Sequence, residues 1–161
     1  MLYNNNDLQN HHADRSGGIK MWTVDDGIAV LRERCAKITA QRIAILKQLQ
    51  GRKDHPSAET LYKELSGDYS TMSLATLYST AQLLEEAGLI KILSIDDKRV
   101  YFDPDTKTHG HFLCQKCGKL FDIPVDEEAI FKTATAANND IAQIEHTEIF
   151  FYGMCTDCLK I

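Results

Sequence analysis

Cys114-Gln115-Lys116-Cys117 and Cys155-Thr156-Asp157-Cys158 place four of the chain's five cysteines in two Cys-x2-Cys pairs. Two thiolates at that spacing can fold back onto one ion. Two such knuckles complete the tetrahedral sulfur shell that Zn²⁺ prefers in a structural role. Gly118 follows the first knuckle and Gly153 precedes the second, which gives the backbone room to turn. The other readings are a pair of disulfides or a redox Cys-x-x-Cys. Disulfides suit a secreted chain, and Met1–Asn6 shows no basic region leading into an apolar stretch. A redox motif needs no twin.

A second group offers imidazole and carboxylate in place of sulfur. His109 and His111, either side of Gly110, lie just ahead of the first knuckle, and on a strand they point to one face. Asp103 can fold back toward them through Pro104, Asp122 leaves the knuckle on the following strand, and His55 precedes Pro56 and a helix start. Each histidine taken singly reads as an ordinary surface or core residue. Together with the carboxylates they suit Mn²⁺, Fe²⁺ or Zn²⁺ in a second metal site. Two histidines and one aspartate would also serve a non-haem iron enzyme, although an enzyme has no need of His55 from a separate helical segment.

These residues need a scaffold, and 161 residues with a net charge of −5 allow one domain or two small ones, the second stapled by metal. Residues 21–99 balance acid against base, and the acidic excess lies in 100–161. No apolar run is long enough to span a bilayer, so a cytoplasmic protein with no membrane partner is expected. Residues 1–20 read as a flexible leader, native or left from expression, with Met21 as an original start and His11-His12 as bystanders.

From Asp25 one apolar stripe runs through Ile28, Leu31 and Cys35, continues at Ile43, Leu46 and Leu49 after Thr39, and stops at Gly51. Cys35 reads as a small buried hydrophobe on it. Ser57 caps a second helix over Ala58–Leu65. Ser73 caps a third, with Leu74, Leu77, Ala81 and Leu84 inward and Gly88 at its end. Leu89–Ser94 and Arg99–Asp103 read as strands around Asp96-Asp97. This predicts an α+β chain: a winged helix-turn-helix domain over 21–103, then a small α/β domain over 104–161. The second domain has a helix near Asp126–Ala137 and a long strand at Ile144–Met154.

In a helix-turn-helix the second helix enters the major groove. The outward residues of the helix beginning at Ser73 are Ala75, Thr76, Ser79 and Gln82, with Tyr78 at the edge. Their hydroxyl and amide groups can meet bases or phosphates. No Arg or Lys stands on that face, so the attraction must come from the basic stretch Arg32 to Lys53 or from Lys98 and Arg99. A zinc-stapled module that docks proteins would tolerate Ser79→Glu; a DNA reader would not.

Several ordered segments resemble the ferric uptake regulator (Fur) family over about residues 25–160. They are Ile38-Thr39-Ala40-Gln41-Arg42, His55-Pro56-Ser57-Ala58, Ser73-Leu74-Ala75-Thr76-Leu77-Tyr78, Glu86-Ala87-Gly88-Leu89-Ile90, and the run from His111 to Gly118. Ala40 stands where the family usually has Pro. The resemblance implies a homodimeric repressor of palindromic double-stranded operator DNA, without a small organic substrate. It carries structural zinc and a regulatory Fe²⁺ or Mn²⁺ held by His55, Asp103, His109, His111 and Asp122. Aspartate at both Asp103 and Asp122 is similar to the peroxide-sensing (PerR) branch, where iron-sensing members usually have glutamate. In that branch His55 and His109 would be the oxidation-sensitive residues. The other branch implied is an iron- or other metal-responsive repressor without peroxide sensing.

Overall fold

A computed structural model describes residues 22–96, 99–138, 140–144 and 146–160. The stretch 1–20 read as a leader, Met21 read as an original start, and Asp97 and Lys98 lie outside the described residues.

Each of the first four helices begins where a hydroxyl accepts a backbone N–H that the helix cannot satisfy itself. Thr23 caps α1 (Val24–Glu33), Thr39 α2 (Ala40–Leu49), Ser57 α3 (Ala58–Ser66) and Ser73 α4 (Leu74–Glu86). The single helix expected from Asp25 to Gly51 is therefore two. At the end of α1 the N–H groups of Cys35 and Ala36 bond the carbonyls of Arg32 and Leu31, with Cys35 in the left-handed region at φ 53. That turn carries Cys35 outward, so the expected buried hydrophobe is an exposed thiol. Gly88, at φ 71, closes α4 in the same way.

Leu31, Ile45, Leu46, Leu49, Leu61, Leu77, Ala81 and Leu84 are fully buried in one core between the four helices. Leu74, expected to face inward, lies in the first turn of α4 and is exposed. Thr80 takes a core position, its hydroxyl bonded to the Thr76 carbonyl at 2.7 Å. The wing follows as an antiparallel pair, β1 (Lys91–Asp96) and β2 (Arg99–Asp103).

The second unit is a three-stranded sheet, in order β4 (Leu120–Ile123), β3 (Gly110–Cys114) and β5 (Phe150–Gly153), with β3 antiparallel to β4 and parallel to β5. α5 (Glu127–Ala137) is capped by Asp126 and α6 (Thr156–Leu159) carries Cys158. The long strand expected over Ile144–Met154 is confined to β5; ahead of it the Ile149 carbonyl still accepts the His111 N–H at 2.8 Å. Leu93, Ile95 and Tyr101 of the wing share a small apolar cluster with Leu113 and Leu120. The Tyr152 hydroxyl adds a bond to the Ile95 carbonyl at 3.0 Å. The fold is the expected α+β combination of winged helix-turn-helix and α/β unit. Among the described residues no helix is long and apolar enough to cross a membrane.

Candidate metal centres

β3 serves both candidate centres, one at each end. At its C-terminal end Cys114 pairs with Gly153 of β5, and the Gln115 N–H bonds the Gly153 carbonyl at 2.8 Å. This parallel pairing sets the Cys155 knuckle against the Cys114 knuckle. The four sulfurs of Cys114, Cys117, Cys155 and Cys158 lie within 4.8 Å of one another. The Cys155 N–H donates to Cys114 Sγ at 3.3 Å, and Gly118 turns the first knuckle at φ 72. N–H groups of Cys155 and Cys117 draw the Cys114 thiol down to about 6, whereas Cys158, hydrogen-bonded to Cys155 and Cys117, is pushed up to about 12. Four thiolates this close repel, so they ionise together only around a cation. That is the donor set and behaviour of a structural zinc site.

At the other end of β3, His111 stands directly opposite Asp122 of β4, and His109 lies two residues before it. β2 brings Asp103, whose Oδ1 accepts the Asp105 N–H at 2.8 Å in the turn through Pro104. His55 arrives from the first unit. The Pro56 carbonyl accepts the Phe102 N–H at 3.0 Å, and Ser57 bridges Tyr101, which fastens the start of α3 alongside β2. His55 itself is held at φ 45, a region costly for a side chain with a Cβ; the surrounding packing turns its ring toward Asp103.

Ligand-type atoms of His55, Asp103, His109 and His111 all lie within 4.8 Å of one another. Nε2 of His55 is 3.4 Å from Asp103 Oδ1 and 3.0 Å from Asp122 Oδ1. Nε2 of His109 is 3.3 Å from Asp103 Oδ2 and 3.4 Å from Asp122 Oδ1; Nε2 of His111 is 3.4 Å from Asp103 Oδ2. Asp122 closes the open side, with its side chain 42% exposed against 1% for Asp103. All five expected ligands thus converge.

Burial alone would push the Asp103 carboxyl up, but the close approach of His109, His111 and His55 outweighs it and holds the group well below the usual carboxylate range. Asp103 in turn raises His109, against the effect of burial. Nδ1 of His109 faces the Lys107 carbonyl at 2.9 Å. A carbonyl only accepts, so Nδ1 carries the proton and Nε2 is left for the site. Nε2 of all three histidines and Oδ2 of Asp103 are buried without a well-formed hydrogen bond. A divalent ion fits this set: three neutral imidazoles and two carboxylates satisfy it, and their charge balances it.

The outer face of α4 divides in two. Ser73, Ala75 and Gln82 are exposed; Thr76, Tyr78 and Ser79 are partly covered. Tyr78 leans edge-on against Phe102, and the Ser79 hydroxyl bonds back to the Thr76 carbonyl. Gln41 reaches from α2 to Thr71 just ahead of α4, so the start of α2, with Lys37 and Arg42, lies beside the α4 N-terminus. Other members of the basic stretch are spent internally: Arg34 pairs with Glu86, and Arg52 with Asp54 and Glu64. The sequence gives no sign of the Tyr152 bond to the wing, because a tyrosine on a strand is unremarkable by itself.

Residues 33–152 match the model of the ferric uptake regulator family. The peroxide-responsive repressor PerR of Staphylococcus saprophyticus is 35% identical over 139 residues, covering 84% of this chain and 90% of that protein. A ferric uptake regulator from Francisella tularensis, solved with iron, superposes with a TM-score of 0.66 at 27% identity, over 77% of this chain and 95% of that one. The Vibrio cholerae ferric uptake regulator gives 0.65 at 28% identity, over 81% of this chain and 100% of its own.

Proposed function

This chain belongs to the ferric uptake regulator family, a family of transcriptional regulators and not of enzymes, and from that premise we propose that it is a metal-dependent, cytoplasmic repressor that senses peroxide. Residues 21–103 read palindromic operator DNA through α4, and 104–161 form a homodimer around structural Zn²⁺. Fe²⁺ or Mn²⁺ at His55, Asp103, His109, His111 and Asp122 joins the two. The observation that carries this reading is the convergence of His55 from the helical unit with Asp103, His109, His111 and Asp122. An ion bound there favours one relative pose of the two units, so metal affinity and DNA affinity are linked. The row Phe121–Phe112–Phe151 across the second sheet supports a dimer, since Phe121 and Phe151 are exposed large apolar side chains.

Peroxide sensing draws on the relatives named as peroxide-responsive repressors and on aspartate at positions 103 and 122. Fe²⁺ held by these five residues would supply the one-electron chemistry that splits the peroxide O–O bond, and would recover that electron as the ring is oxidised. In the net reaction H2O2 places one oxygen on the C2–H carbon of a ligand imidazole, giving a 2-oxo ring and water. His109 is the most exposed of the three rings and His55 borders a cleft, whereas His111 lies beneath Phe150. An oxidised ring is a poorer donor, so the clasp between the units loosens and DNA is released.

The test is peptide mass spectrometry after anaerobic loading with Fe²⁺ and dilute peroxide, with a Mn²⁺-loaded control. A one-oxygen gain on the peptide carrying His55 or His109, seen with iron alone, is the expected result. The second reading is an iron-responsive repressor without peroxide chemistry, favoured by the likeness to iron-containing and other ferric uptake regulators. It requires that iron binds and both histidines stay unmodified.

A further inference from the structure

Four residues of the histidine–aspartate centre are delivered by regular elements: His55 just ahead of α3, Asp103 at the end of β2, His111 on β3 and Asp122 on β4. His109 is the exception. It stands in the connection between β2 and β3, one residue before Gly110 opens β3. The direction of its ring therefore depends on bonds that this connection makes.

Those bonds run as a chain from one candidate ligand to another. Asp103 Oδ1 accepts the Asp105 N–H at 2.8 Å, while Oδ2 faces His109 and His111. Asp105 Oδ1 accepts the Lys107 N–H at 3.1 Å, and the Lys107 carbonyl accepts from His109 Nδ1 at 2.9 Å. Thr108 ties the same stretch to α5, its hydroxyl donating to Glu127 Oε1 at 2.6 Å. The far end of the chain is pinned from the wing. Lys91 Nζ donates to the same Lys107 carbonyl at 2.7 Å, a short bond of the charge-assisted kind. Lys91 opens β1 directly opposite Asp103, so the two side chains stand on one face of the wing. One lysine thus neighbours the first ligand of the chain and anchors the carbonyl that orients the last.

We propose that Lys91 is a positioning residue for the regulatory metal: by holding the Lys107 carbonyl it keeps His109 in the Nδ1–H tautomer, with Nε2 turned to the site. The proposal rests on the regulatory-site reading above and adds to it a residue that touches no ligand. A carbonyl held by Lys91 cannot swing away from the imidazole, and the acceptor on one ring nitrogen decides which nitrogen is left for an ion. The ammonium comes from the wing, so the bond also ties metal affinity to the place of the wing beside this connection.

The two effects of Lys91 on a divalent ion have opposite signs. As a bare positive charge it weakens binding; as an anchor for His109 it strengthens binding. The anchor prevails, because solvent and salt screen the charge of a partly exposed ammonium, while a misdirected ring removes a donor.

The test uses the full chain with structural zinc, titrated calorimetrically with Mn²⁺. Lys91→Met keeps most of the stem, and Lys91→Thr suits a strand start, so at least one variant is expected to keep its zinc and fold. Each is expected to bind Mn²⁺ about fivefold more weakly, less than the loss of a direct outer-shell partner. Lys91→Arg, which can still donate to the carbonyl, stays within about twofold of the parent. Imidazole nitrogen NMR of the metal-free protein, at alkaline pH with the ring neutral, gives a second readout. His109 is Nδ1–H in the parent and in Lys91→Arg, and a mixture of tautomers in the other two. Mn²⁺ affinity equal to or tighter than the parent's in the Met and Thr variants, the result a bare charge predicts, overturns the proposal. So does an unaltered His109 tautomer in them, or an Arg variant as weak as the Met variant. A parent protein that takes up no Mn²⁺ defeats the regulatory-site reading instead, and the imidazole spectra still decide whether Lys91 orients His109.

Discussion

The cysteine tetrad and the histidine–aspartate group occupy opposite ends of one five-residue strand, β3, but they are assembled on different scales. The tetrad lies wholly within the second unit, made by two local knuckles and one strand pairing. The histidine–aspartate group needs the first unit to deliver His55 and the wing to deliver Asp103. A centre enclosed in one unit can only stabilise that unit. A centre divided between two can report on how they sit, and its occupancy becomes a signal. The difference in donors agrees: thiolates hold zinc as a staple, while imidazole and carboxylate suit a more exchangeable ion.

The largest effect should separate the two centres outright. Cys158→Ser is expected to lose zinc and unfold the second unit, because structural zinc contributes roughly 10 kcal/mol or more to folding. Zinc content and the thermal unfolding curve measure this, and an unaltered melting temperature would place the tetrad outside the folding core. His109→Ala should do the reverse: zinc and fold stay, while Mn²⁺ affinity falls about 100-fold. Equal losses of zinc and Mn²⁺ in that variant would mean that the two ends of β3 do not act independently.

Proton competition sharpens the contrast. Asp103 raises His109, so its Nε2 carries a proton at higher pH than an ordinary histidine, and metal must displace it. Mn²⁺ affinity should therefore fall as pH drops, beginning above the usual value of about 6.5, by up to about tenfold per unit for each proton displaced. Titrations at several pH values should show this slope, and His109→Ala should flatten it. The smallest effect concerns the contact between units. Tyr152→Phe removes its bond to the Ile95 carbonyl, worth about 1 kcal/mol, and should weaken Mn²⁺ binding about fivefold without touching the ligands. An unchanged affinity would show that the metal closes the units without help from the wing.

The sequence misled where a short-range pattern met a long-range constraint. A continuous apolar stripe hides the break at Cys35, because the left-handed turn there usually announces itself with glycine. Leu74 keeps the right helical spacing but lies in the first turn, where it is left exposed. The sequence extends a strand back to Ile144, yet the register with β3 starts at Phe150, with only the Ile149 carbonyl bonding to β3 ahead of it. The basic stretch resembles a DNA-facing patch, but Arg34 is taken up by Glu86, 52 residues on, and Arg52 by Glu64 on α3 as well as by its near neighbour Asp54.

What the sequence determined alone was what local chemistry can encode. The hydroxyl caps at Thr23, Thr39, Ser57 and Ser73 start the helices because the N–H group each satisfies is three residues away. The Cys-x2-Cys spacing and the His-x-His pair define donor type and reach for the same reason. Tertiary structure decided which donors come together. The Phe102–Pro56 bond fastens His55 beside Asp103, and the β3–β4 register sets Asp122 opposite His111. It alone also brought Lys91 to the carbonyl behind His109, since no period or spacing in a sequence records the distance between residues that the chain separates and only packing unites.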